Sequence, residues 1–191
     1  MPPAVLQVVI ASTRPGRVAP AIADWFHALA KDHGSFEVEM IDLLTIDLPL
    51  LDEPNHPRLG RYVHQHTKDW SESVSRGDAF VIVTPEYNYG YNAVIKNAID
   101  YLHREWAYKA VGFVSYGGVA AGTRAVQMLK QVVTTVKMVP VFESVNIPFV
   151  QQVLGQDGRV EPTPTMDSSA RAMLAELNRW TEPLRSMRTA Q

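Results

Sequence analysis

The 191-residue sequence contains no cysteine. This absence excludes disulfide bonds, thiolate catalysis and cysteine-ligated iron–sulfur clusters. It is compatible with a reducing compartment, and the chain does not open with a basic segment followed by an apolar one. We therefore expect a cytoplasmic protein without a signal peptide.

Strong net charge, long apolar runs and internal repeats are also lacking. The formal net charge of −2 gives no reason to expect a nucleic acid or an anionic membrane as partner. No apolar run approaches the roughly 20 residues that a membrane-spanning helix requires. With 46% hydrophobic and 20% charged residues, the composition is that of a globular protein. We predict a single domain over residues 1–191.

Apolar patterning predicts alternating strands and helices. Short apolar segments predict strands at residues 4–11, 36–41, 79–83, 110–115 and 138–142. Helical spacing of apolar residues predicts helices at 18–32, 61–76, 93–102 and 120–136, and from about 164 onward. In the second of these helices, Val63, Trp70 and Val74 are predicted to face inward. The proline-containing segment 42–60 predicts a long loop.

Two of the predicted strands have the properties of edge strands. Segment 36–41 alternates apolar and acidic residues, and Pro140 interrupts the last strand. Alternation of strands and helices predicts a parallel sheet with helices on both faces. The strand order 2-1-3-4-5 places both edge candidates at the margins, which gives a flavodoxin-like three-layer sandwich. Ligands bind such sheets at the carboxyl ends of strands one and three.

The turn after the first strand, residues 12–17, is suited to an anion. Ser12 and Thr13 offer hydroxyl groups, Arg14 and Arg17 carry positive charge, and a helix N-terminus follows. No acidic residue precedes Asp24, so we expect no carboxylate to oppose this charge. The pattern is neither a Walker A loop nor G-x-G-x-x-G. It predicts a phosphate monoester site, with a solvated turn as the alternative.

Two further turns follow the third and fourth strands. The second turn, residues 86–91, carries Tyr87, Tyr89 and Tyr91, and their faces suit a flat heterocycle. The alternative is that these rings pack into a core or a subunit interface. The third turn, residues 115–118, contains Gly117 and Gly118, which permit close backbone approach to a ligand.

A metal site is not predicted. His64 and His66 lie in the second predicted helix, and their separation by two positions would direct the imidazoles to different faces. No side chain is an obvious catalytic acid or base, and we assign no catalytic residue.

Three segments together resemble the NADPH-dependent FMN reductase family: residues 11–17 (ASTRPGR), 84–102 (TPEYNYGYNAVIKNAIDYL) and 115–129 (SYGGVAAGTRAVQML). The strongest match is Pro-Glu-Tyr-Asn followed by Lys-Asn-Ala-Ile-Asp, and the resemblance extends over residues 5–147. The chain departs from the family in the first turn. The family often has glycine and serine where Ala11 and Arg17 stand.

The resemblance implies a flavodoxin-like fold, FMN bound at the three turns, NADPH or NADH as reductant, and a homodimer or dimer of dimers (a homotetramer). The residues that match the family's FMN-binding positions fall into three groups: for the phosphate, Ser12, Arg14 and Arg17; for one side of the isoalloxazine ring, Pro85, Glu86, Tyr87 and Asn88; for its other edge, Tyr116, Gly117 and Gly118. The neighbouring Thr13, Tyr89 and Ser115 complete the predicted site.

The expected activity is that of an FMN-dependent NAD(P)H oxidoreductase. Hydride passes from the nicotinamide through FMN to a flavin, quinone, azo compound or nitroaromatic in the same slot, with ping-pong kinetics. One alternative is a flavodoxin-type electron carrier, which would usually be more acidic than this chain. Another is a flavin-free binding or regulatory module. The sequence does not indicate a preference for NADPH over NADH.

Overall fold

Five parallel strands form one sheet in the computed structural model, which describes residues 3–189. The strands are β1 (Val5–Ile10), β2 (Glu37–Asp42), β3 (Ala79–Pro85), β4 (Ala110–Tyr116) and β5 (Val139–Ile147). Their order is β2-β1-β3-β4-β5. The predicted order and the two predicted edge strands are therefore confirmed. Residues 1–2 and 190–191 of the predicted domain lie outside the described residues.

Helices cover both faces of this sheet. They are α1 (Ala19–His33), α2 (Leu43–Ile46), α3 (Gln65–Arg76), α4 (Ala93–Asp100), α5 (Thr123–Thr135) and α6 (Pro164–Thr189). One core lies between the sheet and the pair α1 and α6, and the other lies under α3, α4 and α5. The flavodoxin-like three-layer sandwich is confirmed. Of the helices in residues 3–189, none combines the length and apolar character needed to cross a membrane.

Burial of the strands follows from their place in the sheet. Every residue of β3 and β4 is buried, because these central strands are covered on both faces. The ladder between β4 and β5 is irregular between Val111 and Phe113. Pro140 pairs with Val111 at this irregularity and cannot donate a ladder hydrogen bond. It is tolerated because β5 is an edge strand.

The segment predicted as a long loop contains local structure. It includes α2 and a 3-10 turn at Pro57–Leu59. Asp42 caps α2, since its side chain accepts a hydrogen bond from the Leu44 N–H at 3.0 Å. The cap explains why a helix begins directly after β2.

The start of the next helix differs from the prediction. Since α3 begins at Gln65, Val63 lies before it and is 53% exposed rather than inward. His64 has an extended backbone at the helix N-terminus, so helical spacing does not apply to it. The rings of His64 and His66 are in fact stacked, with centroids 5.2 Å apart. The prediction that they point to different faces was wrong.

Candidate functional site

The three predicted turns meet at one edge of the sheet. They follow β1, β3 and β4, which are neighbours in the sheet order. The Tyr116 hydroxyl donates to the Ser12 hydroxyl at 3.4 Å, which joins the third turn to the first. The Glu86 N–H donates to the Tyr116 carbonyl at 3.3 Å, which joins the second turn to the third. The polar groups of all three turns therefore line the carboxyl edge of the sheet.

Arg14 lies on a tight reverse turn. The Arg17 N–H donates to the Arg14 carbonyl at 3.1 Å, and Gly16 between them has φ of 72°. Proline followed by a left-handed glycine is the sequence of a type II turn. The turn exposes Arg14, which makes no ion pair with any other residue in the described range 3–189. Its positive charge is free to bind an anion.

The N-terminus of α1 adds to the attraction for an anion. Val18 at the cap position provides no side-chain hydrogen bond, and the first turn of α1 contains no acidic residue. Pro20 in this turn has no N–H, so α1 offers an anion its remaining first-turn N–H groups and the positive end of its dipole.

Arg17, in contrast, is bound within the protein. One of its nitrogens donates to Asp42 Oδ1 and to the Ser12 carbonyl, both at 2.6 Å, and another donates to Asp42 Oδ2 at 2.5 Å. The parallel pairing of Ile10 with Asp42 brings this carboxylate to the first turn. The expectation that no carboxylate opposes the turn was wrong, because the sheet brings in an acid from β2.

The Arg17–Asp42 pair perturbs both partners. Burial alone would raise the pKa of Asp42, but hydrogen bonds from Arg17 and the Leu44 N–H, together with the charge of Arg17, hold that pKa below its usual range. The hydrogen bond to Asp42 raises the pKa of Arg17. Both groups are therefore charged at neutral pH, and the negative charge of Asp42 largely offsets the positive charge of Arg17.

The two hydroxyls of the first turn differ in accessibility. Ser12 is buried, and its hydroxyl faces Tyr116. Thr13 is partly exposed and lines a cavity of about 280 Å³ between the first turn, α2 and α4. A larger cavity of about 570 Å³ between α1 and the start of α6 contains none of the predicted site residues.

The second turn is a two-residue hairpin. Tyr87 and Gly90 exchange two backbone hydrogen bonds of 2.9 Å, and Asn88 and Tyr89 between them have φ of 49° and 71°. These values are those of a type I′ turn. Tyr87 is 39% exposed and Tyr89 is 70% exposed. The alternative that these two rings pack into the core of this chain was therefore wrong.

Glu86 anchors the second turn to α5. Its carboxylate accepts from the Arg124 N–H at 3.2 Å and forms an ion pair with the Arg124 guanidinium at 2.6 Å. The preceding Pro85 is buried and pairs with Tyr116 in the sheet. This contact could not be predicted, because Glu86 and Arg124 are brought together only by the adjacency of β3 and β4.

The third turn offers a ligand backbone groups and open space. The buried Ser115 hydroxyl donates to the Ala121 carbonyl at 2.8 Å, which fixes the turn from inside. The glycine required by close packing is Gly122, where a Cβ would lie 2.8 Å from the Ser115 Cβ and φ is 79°. A Cβ on Gly118 would meet nothing within 4 Å. Gly118 therefore borders space that a ligand can occupy.

Two further polar groups at this edge have unusual surroundings. Burial raises the pKa of Tyr116 to about 12, so its hydroxyl is a neutral donor throughout the physiological range. Asn92 caps α4 by accepting from the Ile95 N–H at 3.1 Å, while its own amide nitrogen is buried without a hydrogen-bond partner. Buried unpaired donors are rare in proteins. Sequence reasoning did not select Asn92.

These residues fit FMN. Arg14 and the free N–H groups of α1 suit its phosphate, the exposed tyrosines suit its flat ring, and the unpaired amide of Asn92 lies at the same edge. No group of three or more His, Asp or Glu side chains within residues 3–189 is placed to hold a metal ion.

The family assignment follows from comparison with known proteins. The model of the NADPH-dependent FMN reductase family matches residues 5–152. This chain belongs to that family. It is 40% identical over 145 residues to an NAD(P)H-dependent FMN reductase of Schizosaccharomyces pombe, covering 74% of this chain and 72% of the relative. It is 33% identical over 142 residues to an NAD(P)H-dependent FMN reductase of Saccharomyces cerevisiae, covering 69% and 74% of the two chains.

A solved structure supports the fold of this FMN reductase family member. The flavoenzyme NAD(P)H:(acceptor) oxidoreductase FerB from Paracoccus denitrificans superposes with a TM-score of 0.76 at 22% identity, covering 94% of this chain and 98% of that one. The predicted family, the oxidoreductase class, and FMN with NAD(P)H as reductant are confirmed.

Proposed function

We propose that this reductase binds FMN across its three turns and passes a hydride from NAD(P)H to a flat acceptor, namely a flavin, a quinone, an azo compound or a nitroaromatic. The observation that carries the proposal is the convergence of the turns after β1, β3 and β4, joined by the Tyr116–Ser12 and Glu86–Tyr116 hydrogen bonds. The whole chain would act as a single FMN-binding domain.

The phosphate would bind at the first turn. Arg14 is the principal ligand in this proposal, because its charge is exposed and has no carboxylate partner among residues 3–189. Thr13 and the first N–H groups of α1 would add hydrogen bonds. Ser12 and Arg17 would shape the turn, since the Arg17 guanidinium holds the Ser12 carbonyl and Asp42 together.

The isoalloxazine ring would lie between the second and third turns. Tyr87 and Tyr89 offer aromatic faces, and the amide of Asn88 can both donate and accept at the ring edge. Pro85 and Glu86 would support the second turn on the side that faces the protein interior. The opposite edge of the ring would meet the third turn, which comprises Ser115, Tyr116, Gly117 and Gly118. Gly118 would leave space for the ring, and the buried Ser115 would hold the turn in place through its hydrogen bond to the Ala121 carbonyl.

FMN bound at the three turns would supply the two-electron redox chemistry between NAD(P)H and the acceptor, and solvent would supply the proton that the reduced acceptor takes up. The chain's own residues would bind FMN, orient it and shield part of it from solvent. Because the exposed tyrosines leave the outer side of the site open, reductant and acceptor would occupy the same space in succession. Such use of one slot predicts ping-pong kinetics, with parallel double-reciprocal plots.

We further propose a homodimer or dimer of dimers in the cytoplasm. Leu44, Leu50 and Leu51 are exposed, Leu50 by 81%, and two of them line the cavity beside the first turn. Clustered exposed apolar side chains are typical of interaction surfaces. Light scattering of the purified protein measures the assembly, and a monomer at all concentrations would contradict it.

The test of the function is an absorbance spectrum of the purified protein followed by anaerobic titration with NADPH. We expect flavin bands that bleach on addition of NADPH and return on addition of 1,4-naphthoquinone. Bands that persist with NADPH would indicate an electron carrier instead. A protein that neither contains nor binds FMN would overturn the proposal.

A further inference from the structure

We propose that Arg124 is a positioning residue that holds the Tyr89 ring in the orientation that flavin binding requires. The inference rests on the proposed function, because Tyr89 is one of the side chains proposed to contact the flavin. Arg124 itself lies in the first turn of α5 and is not among the residues proposed to touch FMN.

The two side chains make a close cation–π contact. The central carbon of the Arg124 guanidinium lies 3.7 Å from the centre of the Tyr89 ring. A planar cation at this distance from an aromatic face is attracted by the ring quadrupole. The ring therefore has one face on Arg124.

Tyr89 depends on such support because of its position. It occupies the left-handed region with φ of 71° at the tip of a two-residue hairpin, and most of its surface is exposed. An exposed aromatic side chain can otherwise sample several rotamers, and a ligand that needs one of them must restrict this freedom. The contact with Arg124 selects one orientation before the ligand arrives.

Arg124 is itself fixed by two contacts. Its guanidinium forms an ion pair of 2.6 Å with Glu86, and its backbone N–H donates to the same carboxylate at 3.2 Å. The carboxylate also lies at the N-terminus of α5, where a negative charge is favoured. A Cβ on Gly90 would lie 3.4 Å from the Met128 sulfur, so α5 also lies directly beneath the hairpin. The second turn is thus supported by α5, although the chain continues from it into α4.

Arg124 and Arg14 should therefore act on different parts of the flavin. The charge of Arg124 is offset by Glu86 and its plane is covered by Tyr89, whereas Arg14 has neither partner within residues 3–189. Riboflavin carries the same ring system as FMN but lacks the phosphate. An effect through Tyr89 must appear with both ligands, and an effect on the phosphate must appear only with FMN.

The experiment is titration of the flavin-free protein with FMN and with riboflavin, followed by quenching of flavin fluorescence. Arg124→Ala and Tyr89→Ala should each weaken both ligands by about three- to tenfold. The double variant should bind no more weakly than Tyr89→Ala alone, because Arg124 acts only through the Tyr89 ring. Tyr89→Phe keeps the ring that Arg124 contacts and should therefore lose less affinity than Tyr89→Ala, whereas Arg14→Ala should weaken FMN alone.

Arg124→Lys provides a matched control for charge. It retains the cation and an ion pair with Glu86 but lacks the planar face, so we expect it to remain weaker than the wild type with both ligands. Full recovery of affinity by lysine would overturn the inference, since charge alone would then suffice.

Three other results would also overturn it: additive losses in the double variant, a loss confined to FMN, or wild-type affinity in Tyr89→Ala. Tyr89 is on the surface, so its variants keep the test decisive even if Arg124→Ala does not fold. A wild-type protein that binds neither flavin would overturn the proposed function, and this inference with it. If the wild type binds flavin and the Arg124 and Tyr89 variants bind it with the same affinity, only this inference is overturned.

Discussion

At the amino-terminal edge of the sheet, charged side chains are paired within the protein, whereas at the carboxyl-terminal edge several polar groups are left without protein partners. Asp78, directly before β3, forms ion pairs with Arg188 at 2.6 Å and with Arg185 at 3.4 Å. Its other oxygen accepts from the Val5 N–H at 3.0 Å. One carboxylate thus ties α6 and two strands together.

Lys109, directly before β4, follows the same pattern. Its ammonium donates to the Val74 carbonyl at 2.8 Å and to the Ser75 carbonyl at 3.3 Å, at the C-terminal end of α3. Burial lowers the pKa of Lys109 to about 7. With this pKa the side chain is only partly protonated at neutral pH. Its N–H groups satisfy carbonyls that the helix leaves free, and the protonated form is favoured at a helix C-terminus.

The carboxyl-terminal edge has the opposite character. Arg14 has no carboxylate partner within the described chain, α1 begins without a side-chain cap, and the Asn92 amide nitrogen is buried and unpaired. The buried unpaired donor of Asn92 destabilises the ligand-free protein, and a ligand that binds any of these groups stabilises the folded state. One edge of the sheet thus stabilises the fold, whereas the other carries the groups that we propose bind FMN.

The largest effect that tests this comparison is on stability. Asp78→Ala should lower the free energy of unfolding by about 3 kcal/mol, because it removes the carboxylate that Arg188, Arg185 and the Val5 N–H share. FMN affinity should not change. Urea denaturation and flavin titration measure the two quantities.

Asp32→Ala is the matched control for Asp78. Asp32 also pairs with an arginine, Arg171, at 3.1 Å, but both side chains are more than half exposed. Its loss should change stability by no more than about 0.5 kcal/mol. Equal effects of the two substitutions would show that the amino-terminal edge has no special role in stability.

The next effect is on binding, at the other edge. Arg14→Ala removes a charge-assisted contact worth about 1.5–3 kcal/mol, so FMN affinity should fall by roughly ten- to a hundredfold. The free energy of unfolding of the flavin-free protein should stay within about 0.5 kcal/mol of the wild type, since Arg14 is exposed and unpaired. Arg159→Ala serves as the control, because Arg159 is an exposed arginine that lines the cavity between α1 and α6 rather than the three turns. A similar fall in affinity for both variants would indicate a general effect of charge.

The strand order could be predicted because it depends on local patterns. The alternating segment 36–41 and Pro140 identified the two edge strands, and the three continuous apolar runs identified the centre. The positions of the three turns then followed from the topology alone. Arg14 was selected as a positive charge in the turn between the first strand and the first helix, whereas the type II turn that exposes it was not predicted.

The contacts that complete the site could not be predicted because they join distant residues. Asp42 reaches Arg17 only through the pairing of β1 with β2, and Arg124 reaches Glu86 across 38 positions of sequence. The type I′ hairpin was also missed, because Asn88–Tyr89 lacks the glycine that usually marks such a turn. Its conformation is stabilised from outside, by α5.

A smaller effect is expected when the other arginine of the first turn is replaced. Arg17→Ala should weaken FMN by only about threefold, because its guanidinium binds Asp42 and the Ser12 carbonyl rather than facing the ligand. A loss as large as that of Arg14→Ala would instead make Arg17 a direct phosphate ligand, as the family resemblance implied. Flavin titration of both variants under the same conditions decides between these roles.

The Arg17–Asp42 pair should also give a pH-dependent contribution to stability. At neutral pH, Asp42→Asn should lower the free energy of unfolding by about 1 kcal/mol. Because the folded protein lowers the pKa of Asp42, the stabilisation is fully present above the ordinary aspartate pKa of about 3.9 and is lost as pH falls through the folded-state pKa. Urea denaturation of the two proteins should therefore give curves that separate at pH 7 and converge in strong acid. A difference that persists unchanged in acid would mean that Asp42 acts through its shape and its cap on α2 rather than through its charge.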